Sequence, residues 1–200
     1  MTNKYFSKIK NLFDNSDPKF VPEKTFVRQQ IARQKEYLSD IQKANEAKVV
    51  FESIEQEKAF IDAKTILLYW SMPDELPTHD FIRKWSSEKQ ILLPVVKGHE
   101  MLIKPYKDEE NLVANKWGIW EPDVQGQFMR AIDLVIVPGI AFDKRKNRLG
   151  RGKGYYDKYF TNKRIVKWGV CFDCQLLEKI PAAPFDIKMD KVFTSLSIVE

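Results

Sequence analysis

Between residues 148 and 157 the chain reads Arg148-Leu149-Gly150-Arg151-Gly152-Lys153-Gly154-Tyr155-Tyr156-Asp157. Three glycines alternate with two cations, and a helical pattern begins at once. Glycine lets backbone N–H groups come close to an oxyanion and tolerates positive φ. The N-terminus of the following helix adds partial positive charge. Arg151 contributes a planar fork and Lys153 a mobile point charge. Together these parts make a cradle for a polyphosphate. The spacing is not Walker A, which requires G-x-x-x-x-G-K-[ST], because Gly154 follows Lys153. Nor is it the Rossmann fingerprint. A solvated basic loop, or a nucleic-acid contact, would use the same residue types. No RNA-binding sheet motif with interleaved aromatics and no helix-turn-helix pattern accompanies it.

The elements around this turn must position it. Leu134-Val135-Ile136-Val137 is the clearest buried strand, and it stops at Pro138-Gly139. Upstream, residues 22 to about 62 read as helical, with Val27, Ile31, Leu38 and Ile41 near helical spacing. Ser39-Asp40 or Asn45 offers a capping break within that run. Thr65 to Trp70 is a short apolar strand. Thr78 is placed to cap a helix reaching about Trp85. Ile91 to Val96 is a strand shortened or edged by Pro94. Met101 to Ile103 follows a turn at Gly98, and residues 107 to 130 read as irregular. A helix from Tyr155 to Thr161, a strand from Ile165 to Val170 and a short strand near Val192 to Thr194 complete the pattern. Strands alternate with helices, which predicts an α/β fold: a single-domain, mostly parallel sheet covered by helices, Rossmann-like and three-layered. Residues 1–21 read as a polar arm and 22–200 as the domain. In such sheets ligands gather beyond the carboxyl ends of the strands. The loops after Trp70 and Val137 are therefore the places to look.

The composition of the 200 residues narrows the class. Apolar residues are 44% and charged residues 30%, as in a globular chain. No apolar run approaches the roughly 18 residues that span a bilayer. The first residues carry Lys4, Lys8 and Lys10 without an apolar stretch or an arginine, so a cytoplasmic location is expected. The net charge of +5 fits an anionic ligand, whether nucleotide, polyglutamate or nucleic acid. Cys171 and Cys174 form a C-x-x-C spacing with no second ligand pair, and they follow a strand pattern. They read as structural rather than redox-active or zinc-binding. His79 and His99 are isolated and read as surface or loop residues. Lys144 to Lys146 read as an exposed loop tip.

Val137 to Lys144, followed by Asn147 to Asp157, closely resembles the signature of the 5-formyltetrahydrofolate cyclo-ligase (5,10-methenyltetrahydrofolate synthetase) family. Many members carry a plainer glycine run where this chain has Arg151-Gly152-Lys153-Gly154. Other segments resemble the family in the same order: Lys24 to Arg28, Trp70 to Glu75, Lys116 to Pro122, Gly169 to Gln175, and Pro184 to Asp190. The likeness spans roughly residues 22 to 195.

The resemblance implies an ATP-dependent ligase with Mg²⁺ as its cofactor. It would cyclise 5-formyltetrahydrofolate to 5,10-methenyltetrahydrofolate with release of ADP and phosphate. The formyl oxygen would be phosphorylated, and N10 would then attack the activated carbon. Arg151 and Lys153 would carry the chemistry. Lys24, Arg28, Arg148, Leu149 and residues Gly150 to Tyr156 would hold ATP. Trp70, Glu75, Trp117 and the Arg151 to Tyr155 turn would hold the folate, with Glu75 facing the pterin. Asp157 and Asp186 would hold the metal. ATP and the folate, with or without a polyglutamate tail, would be the partners of a monomer that binds neither nucleic acid nor membrane.

Position alone gives each residue a plainer reading. Asp157 could serve the helix N-terminus. Asp186 could be a turn residue after Pro184. Lys24 and Arg28 could be a solvated helix face. Glu75 could be plain surface, and Trp70, Trp117, Tyr155 and Tyr156 could be packing residues. Two rival functions stand beside the cyclo-ligase: another phosphate-binding enzyme on the same sheet, and a nucleic-acid module using the basic loop.

Overall fold

The structure is a computed structural model that describes residues 23–115, 118–123, 131–184 and 186–200. The expected N-terminal arm lies outside the described residues. Three helices come first: α1 (Lys24–Lys35), α2 (Asp40–Glu55) and α3 (Lys58–Asp62). Of the two expected breaks, Ser39-Asp40 is the real one. Ser39 and Gln42 form a reciprocal capping box, in which the Gln42 N–H donates to Ser39 Oγ and the Ser39 N–H to Gln42 Oε1. Such a cap stabilises a helix start by about 1 kcal/mol. Asn45 lies inside α2, where no cap is needed.

A seven-stranded sheet runs in the order β12-β11-β9-β6-β1-β2-β3. Its strands are β1 (Thr65–Leu67), β2 (Gln90–Lys97), β3 (Glu100–Pro105), β6 (Leu134–Pro138), β9 (Val166–Val170), β11 (Lys191–Phe193) and β12 (Ile198–Val199). The inner pairings are parallel, and β3 and β12 close the edges antiparallel. The expected mostly parallel α/β architecture is present. Pro94 does not shorten β2. Pairing with β1 ends at Leu92, so Pro94 lies beyond it and faces Ile103 of β3.

Alternate residues serve the two faces of the sheet. Ile66, Leu68, Leu134 and Ile136 pack beneath α2, α3 and α4 (His79–Trp85), against Val50, Phe51, Ile54, Phe60 and Phe81. Leu67, Leu92, Val135 and Val137 face the other way, toward Phe160 of α5 (Tyr155–Phe160) and Met189. A third cluster seats Val27 and Ile31 of α1 on Ala141, Leu149 and Ile180. Burial of these faces at about 25 cal/mol per Å² is the main stabilising contribution.

Three departures from the expected elements have local causes. The stretch 107–130 is not wholly irregular, because β4 (Leu112–Ala114) and β5 (Trp120–Pro122) pair as a small antiparallel sheet. A second small sheet joins β10 (Leu176–Leu177), β7 (Ala141–Asp143) and β8 (Arg148–Leu149). Thr78 precedes α4 but gives it no side-chain cap. Its hydroxyl instead donates to the Tyr69 carbonyl at 2.6 Å and accepts from the Ser71 N–H at 3.2 Å. Thr78 thus ties the loop after β1 to the start of α4.

Chain order reverses between β1 and β6. From β1 the sheet grows one way to β2, while β6, β9 and β11 lie on the other side. A crevice opens where such reversals occur, beyond the carboxyl ends of the two strands. Here those ends lead into residues 68–78 and 139–154. Among the described residues no helix is long and apolar enough to cross a membrane.

Candidate active site

A cavity of 590 Å³ lies at this reversal. Its walls include the whole turn from Arg148 to Asp157, the Trp70 and Glu75 loop, Lys24 and Arg28 of α1, and Asp186. Of the candidate site residues named from the sequence, Trp117 alone lies outside the described residues.

The β7–β8 hairpin delivers the glycine-cation turn. Its tip winds around the buried Asp143 carboxylate. That carboxylate accepts from the Arg145 and Asn147 N–H groups at 2.9 Å, from Asn147 Nδ2 at 2.8 Å and from the Ile180 N–H at 3.1 Å. Lys144 and Arg145 are exposed at this tip, and Lys144 pairs with Glu178. Beyond β8, Gly152 and Gly154 take φ of +99° and +69°. L-residues with side chains rarely adopt such angles, so glycine is required at both. Lys153 is exposed. Gly154 is the N-cap of α5, and the Tyr155 hydroxyl donates to the Gly98 carbonyl at 3.0 Å, which moors the helix to the β2–β3 turn.

Arg148 is buried. Its Nη1 donates to the Pro138 carbonyl at 3.1 Å, and its Nη2 lies 3.5 Å from Asp157 Oδ2. The guanidinium sits 5.0 Å from the Tyr156 ring centroid. Burial draws its pKa down, against the charge of Asp157. Its Nε has no hydrogen-bond partner among the described residues. A buried cation so loosely compensated favours an anion beside it. Burial also pushes the Tyr156 hydroxyl far up, so it stays protonated.

Arg151 crosses to the loop after β1. Its Nη2 lies 2.6 Å from Asp74 Oδ1 and 3.2 Å from Glu75 Oε1. Glu75 Oε2 accepts from the Met72 N–H at 3.1 Å. Burial raises the Glu75 pKa more than that bond and Arg151 lower it. For Asp74 the balance reverses. Burial opposes its charge, but the Lys35 and Arg151 bonds win and hold its carboxyl below the usual range.

Lys24 and Arg28, expected at a triphosphate, meet protein groups here. Lys24 Nζ lies 2.5 Å from Asp186 Oδ2, and Arg28 Nε donates to the Gly150 carbonyl at 3.0 Å. α1 thereby clamps the turn and the Asp186 loop together. Asp157 Oδ1 accepts from the Ile187 N–H at 3.1 Å, which brings the second acidic residue to the same loop.

Trp70 gives the cavity a flat wall. Its ring stacks on His79 at 4.3 Å between centroids and on Tyr106 at 5.8 Å. His79 is therefore not a plain surface residue. It is half-buried, its Nε2 lies 3.1 Å from the Ser71 carbonyl, and burial lowers its pKa. Cys171 and Cys174 are both free and buried. Burial raises both thiols, Cys174 to about 12, so neither is a ready thiolate.

Sequence reasoning missed three contributors. Gln175 is buried, and its Nε2 donates to the Gly139 and Ile140 carbonyls at 2.8 and 2.9 Å, fixing the loop after β6. Asp74 holds Arg151, and Lys35 holds Asp74. Helical phase offered a signal for Lys35. At about 100° per residue, positions 24, 28 and 35 fall within roughly 40° on α1. Gln175 and Asp74 left no signal, because their partners are distant in sequence.

The sequence profile of the 5-formyltetrahydrofolate cyclo-ligase family matches residues 21–195. The chain belongs to that family. The Escherichia coli K12 5-formyltetrahydrofolate cyclo-ligase is 34% identical over 148 residues, covering 69% of this chain and 81% of that one. The mouse 5-formyltetrahydrofolate cyclo-ligase is 28% identical over 185 residues, covering 83% and 90%. The NMR structure of Aquifex aeolicus 5,10-methenyltetrahydrofolate synthetase superposes with a TM-score of 0.79 at 27% identity, covering 88% of this chain and 91% of that one. The cyclo-ligase profile spans both loops at the sheet reversal and every described wall residue named above.

Proposed function

We propose that this chain catalyses the ATP-dependent cyclisation of 5-formyltetrahydrofolate to 5,10-methenyltetrahydrofolate, with ADP and phosphate as the other products. One observation carries the reading beyond family membership: the glycine-cation turn and the Trp70–Glu75 wall line one cavity. A polyphosphate site and a flat, acceptor-bearing site therefore share one space.

The reaction needs that proximity. A formamide carbonyl is a weak electrophile, and its oxygen leaves poorly. Transfer of the γ-phosphoryl group breaks its bond to ADP and forms one to the formyl oxygen. The N10 lone pair then attacks the formyl carbon. The C–O bond breaks, and the N10 proton leaves with inorganic phosphate. Positioning and charge neutralisation carry such a transfer. Arg148, Arg151, Lys153 and the backbone N–H groups of residues 150–154 face the phosphates and the activated oxygen. Glu75 accepts from the pterin N–H groups, and Trp70 and Tyr155 offer apolar surface to the rings. Lys24 and Arg28 reach the triphosphate from α1 by leaving Asp186 and Gly150.

Asp157 and Asp186 fit a magnesium ion that arrives with the nucleotide. Both line the phosphate cavity, and Mg²⁺ is commonly held by one or two carboxylates with phosphate oxygens and water. Among the described residues no group of three or more His, Cys, Asp or Glu gathers, so the remaining ligands would come from elsewhere. When bound, the ion supplies charge neutralisation on the phosphates. We place the reaction in the cytoplasm, with the enzyme a monomer that accepts folate with or without a polyglutamate tail.

The test is direct. Protein mixed with Mg·ATP and 5-formyltetrahydrofolate should develop the near-ultraviolet absorbance of the methenyl product, with one ADP per product. Absence of both products would refute the reading.

A further inference from the structure

Asp74 stands between two cations that arrive from different elements. Lys35, the last residue of α1, donates from Nζ to Asp74 Oδ2 at 2.7 Å and to the Asp74 carbonyl at 2.6 Å. The Lys35 side chain is only 6% exposed. A buried ammonium persists only where its charge and donors are met. Here Asp74 supplies both a carboxylate oxygen and a backbone oxygen. Its other carboxylate oxygen, Oδ1, accepts from Arg151 Nη2 at 2.6 Å. One oxygen is thus fixed by a buried residue, and the other fixes a half-exposed one.

Arg151 needs such a hold. It lies in a glycine-flanked turn, and a free arginine side chain carries about 2 kcal/mol of rotamer entropy. Its bonds to Asp74 and Glu75 use Nε and Nη2 alone. A guanidinium presents five donors in a fixed fork, so the Nη1 donors remain for a ligand in the cavity. The contacts to Glu75 are longer, at 3.2 and 3.4 Å. The short bond to Asp74 therefore sets the direction of the fork.

We propose that Asp74, anchored by Lys35, is a positioning residue that aims Arg151 at the oxygens between which the phosphoryl group moves. Asp74 touches neither substrate in this account. Its effect passes through Arg151, and the effect of Lys35 passes through Asp74. The proposal rests on the cyclo-ligase reading of the cavity. Small displacements of a positioned group cost about 10²-fold in rate, which sets the expected scale.

A double-mutant cycle isolates this role, because residues acting through one another are not additive. Turnover of 5-formyltetrahydrofolate is measured for wild type, Asp74→Asn, Arg151→Ala and the double variant, using stoichiometric enzyme for the slowest. Asp74→Asn should lower kcat roughly tenfold to a hundredfold, with the KM for ATP changed by about twofold or less. In the Arg151→Ala background the same substitution should change kcat by about twofold or less. Lys35→Met, which keeps an apolar stem in the buried site, should show the same pattern with a smaller first loss. It supplies a second cycle if Asp74→Asn does not fold. An unchanged kcat in Asp74→Asn would overturn the proposal. So would an equal loss with and without Arg151, the mark of a general structural role. Inactive wild type would refute the cyclo-ligase reading and this proposal with it, whereas active wild type with an additive cycle would remove only the proposal.

Discussion

Lys24 Nζ and Asp186 Oδ2 lie 2.5 Å apart, joining the first turn of α1 to the loop that follows Ala183. The same Asp186 oxygen accepts from the Ala183 N–H at 2.7 Å. The resemblance gave these two residues different duties, triphosphate contact for one and metal binding for the other. In the structure they pair with each other. Binding of Mg·ATP would exchange this ion pair for two others, metal to carboxylate and ammonium to phosphate. Asp186→Asn should therefore raise the Mg²⁺ needed for half-maximal activity by roughly tenfold or more. Lys24→Met should instead raise the KM for ATP, with little change in the Mg²⁺ requirement at saturating nucleotide. Magnesium and ATP titrations of the two variants separate these outcomes. An unshifted Mg²⁺ curve in Asp186→Asn would remove Asp186 from the metal site.

Glu75 carries a carboxylate that the fold disfavours. Its pKa is raised above the ordinary 4.5, first by burial. The unfolded chain therefore ionises Glu75 at lower pH than the folded one does. The carboxylate costs stability above the folded pKa, and the cost vanishes below the unfolded pKa. Glu75→Gln should melt higher than wild type at pH 7, and the difference should close as pH falls to about 4. The same variant should lose turnover, because the amide cannot replace the charged pterin acceptor. Thermal melts across pH, beside one activity assay, check both. A Glu75→Gln variant less stable than wild type at neutral pH would contradict the burial argument.

Gly139 and Gly169 hold open a slot for one aromatic ring. A Cβ on Gly169 would stand 2.5 Å from Phe142 Cε1, and one on Gly139 would stand 2.7 Å from Phe142 Cε2. Neither glycine has positive φ. Space, rather than backbone freedom, requires them. Gly169→Ala should destabilise the protein by about 1–3 kcal/mol through overpacking, measured by urea unfolding. The companion Gly169→Ala/Phe142→Leu protein should recover part of that loss, since the smaller side chain leaves room for the new methyl.

These residues show what could be read from the sequence. The run Leu134–Val137 reads as a strand because a strand buried on both faces shows as a continuous apolar run, and Ile165–Val170 reads as one through its β-branched and aromatic residues although Val166 is exposed. The turn at 150–154 is legible as a tight turn because its glycines permit the positive φ found at Gly152 and Gly154, whereas its residue types alone suit a solvated loop or a nucleic-acid contact as well as a phosphate. The strands of the two small sheets, two or three residues each, are too short to show a period. Thr78 was misread because its hydroxyl serves the β1 loop, a tertiary contact that overrides a capping preference. In the sequence Gly139 follows one strand and Gly169 lies within another, and only the position of the Phe142 ring reveals why both are glycine. Lys35 and Asp74 are 39 positions apart in the chain, so their pairing depends on how α1 lies against the loop after β1.

In the proposed reaction one cavity brings the γ-phosphoryl group of ATP onto the formyl oxygen of the folate. 5-Formyltetrahydrofolate labelled with ¹⁸O in the formyl group tests it most directly. The released inorganic phosphate should carry the label, with one heavy oxygen for each methenyl product formed and none in ADP. Unlabelled phosphate alongside full product formation would contradict the account.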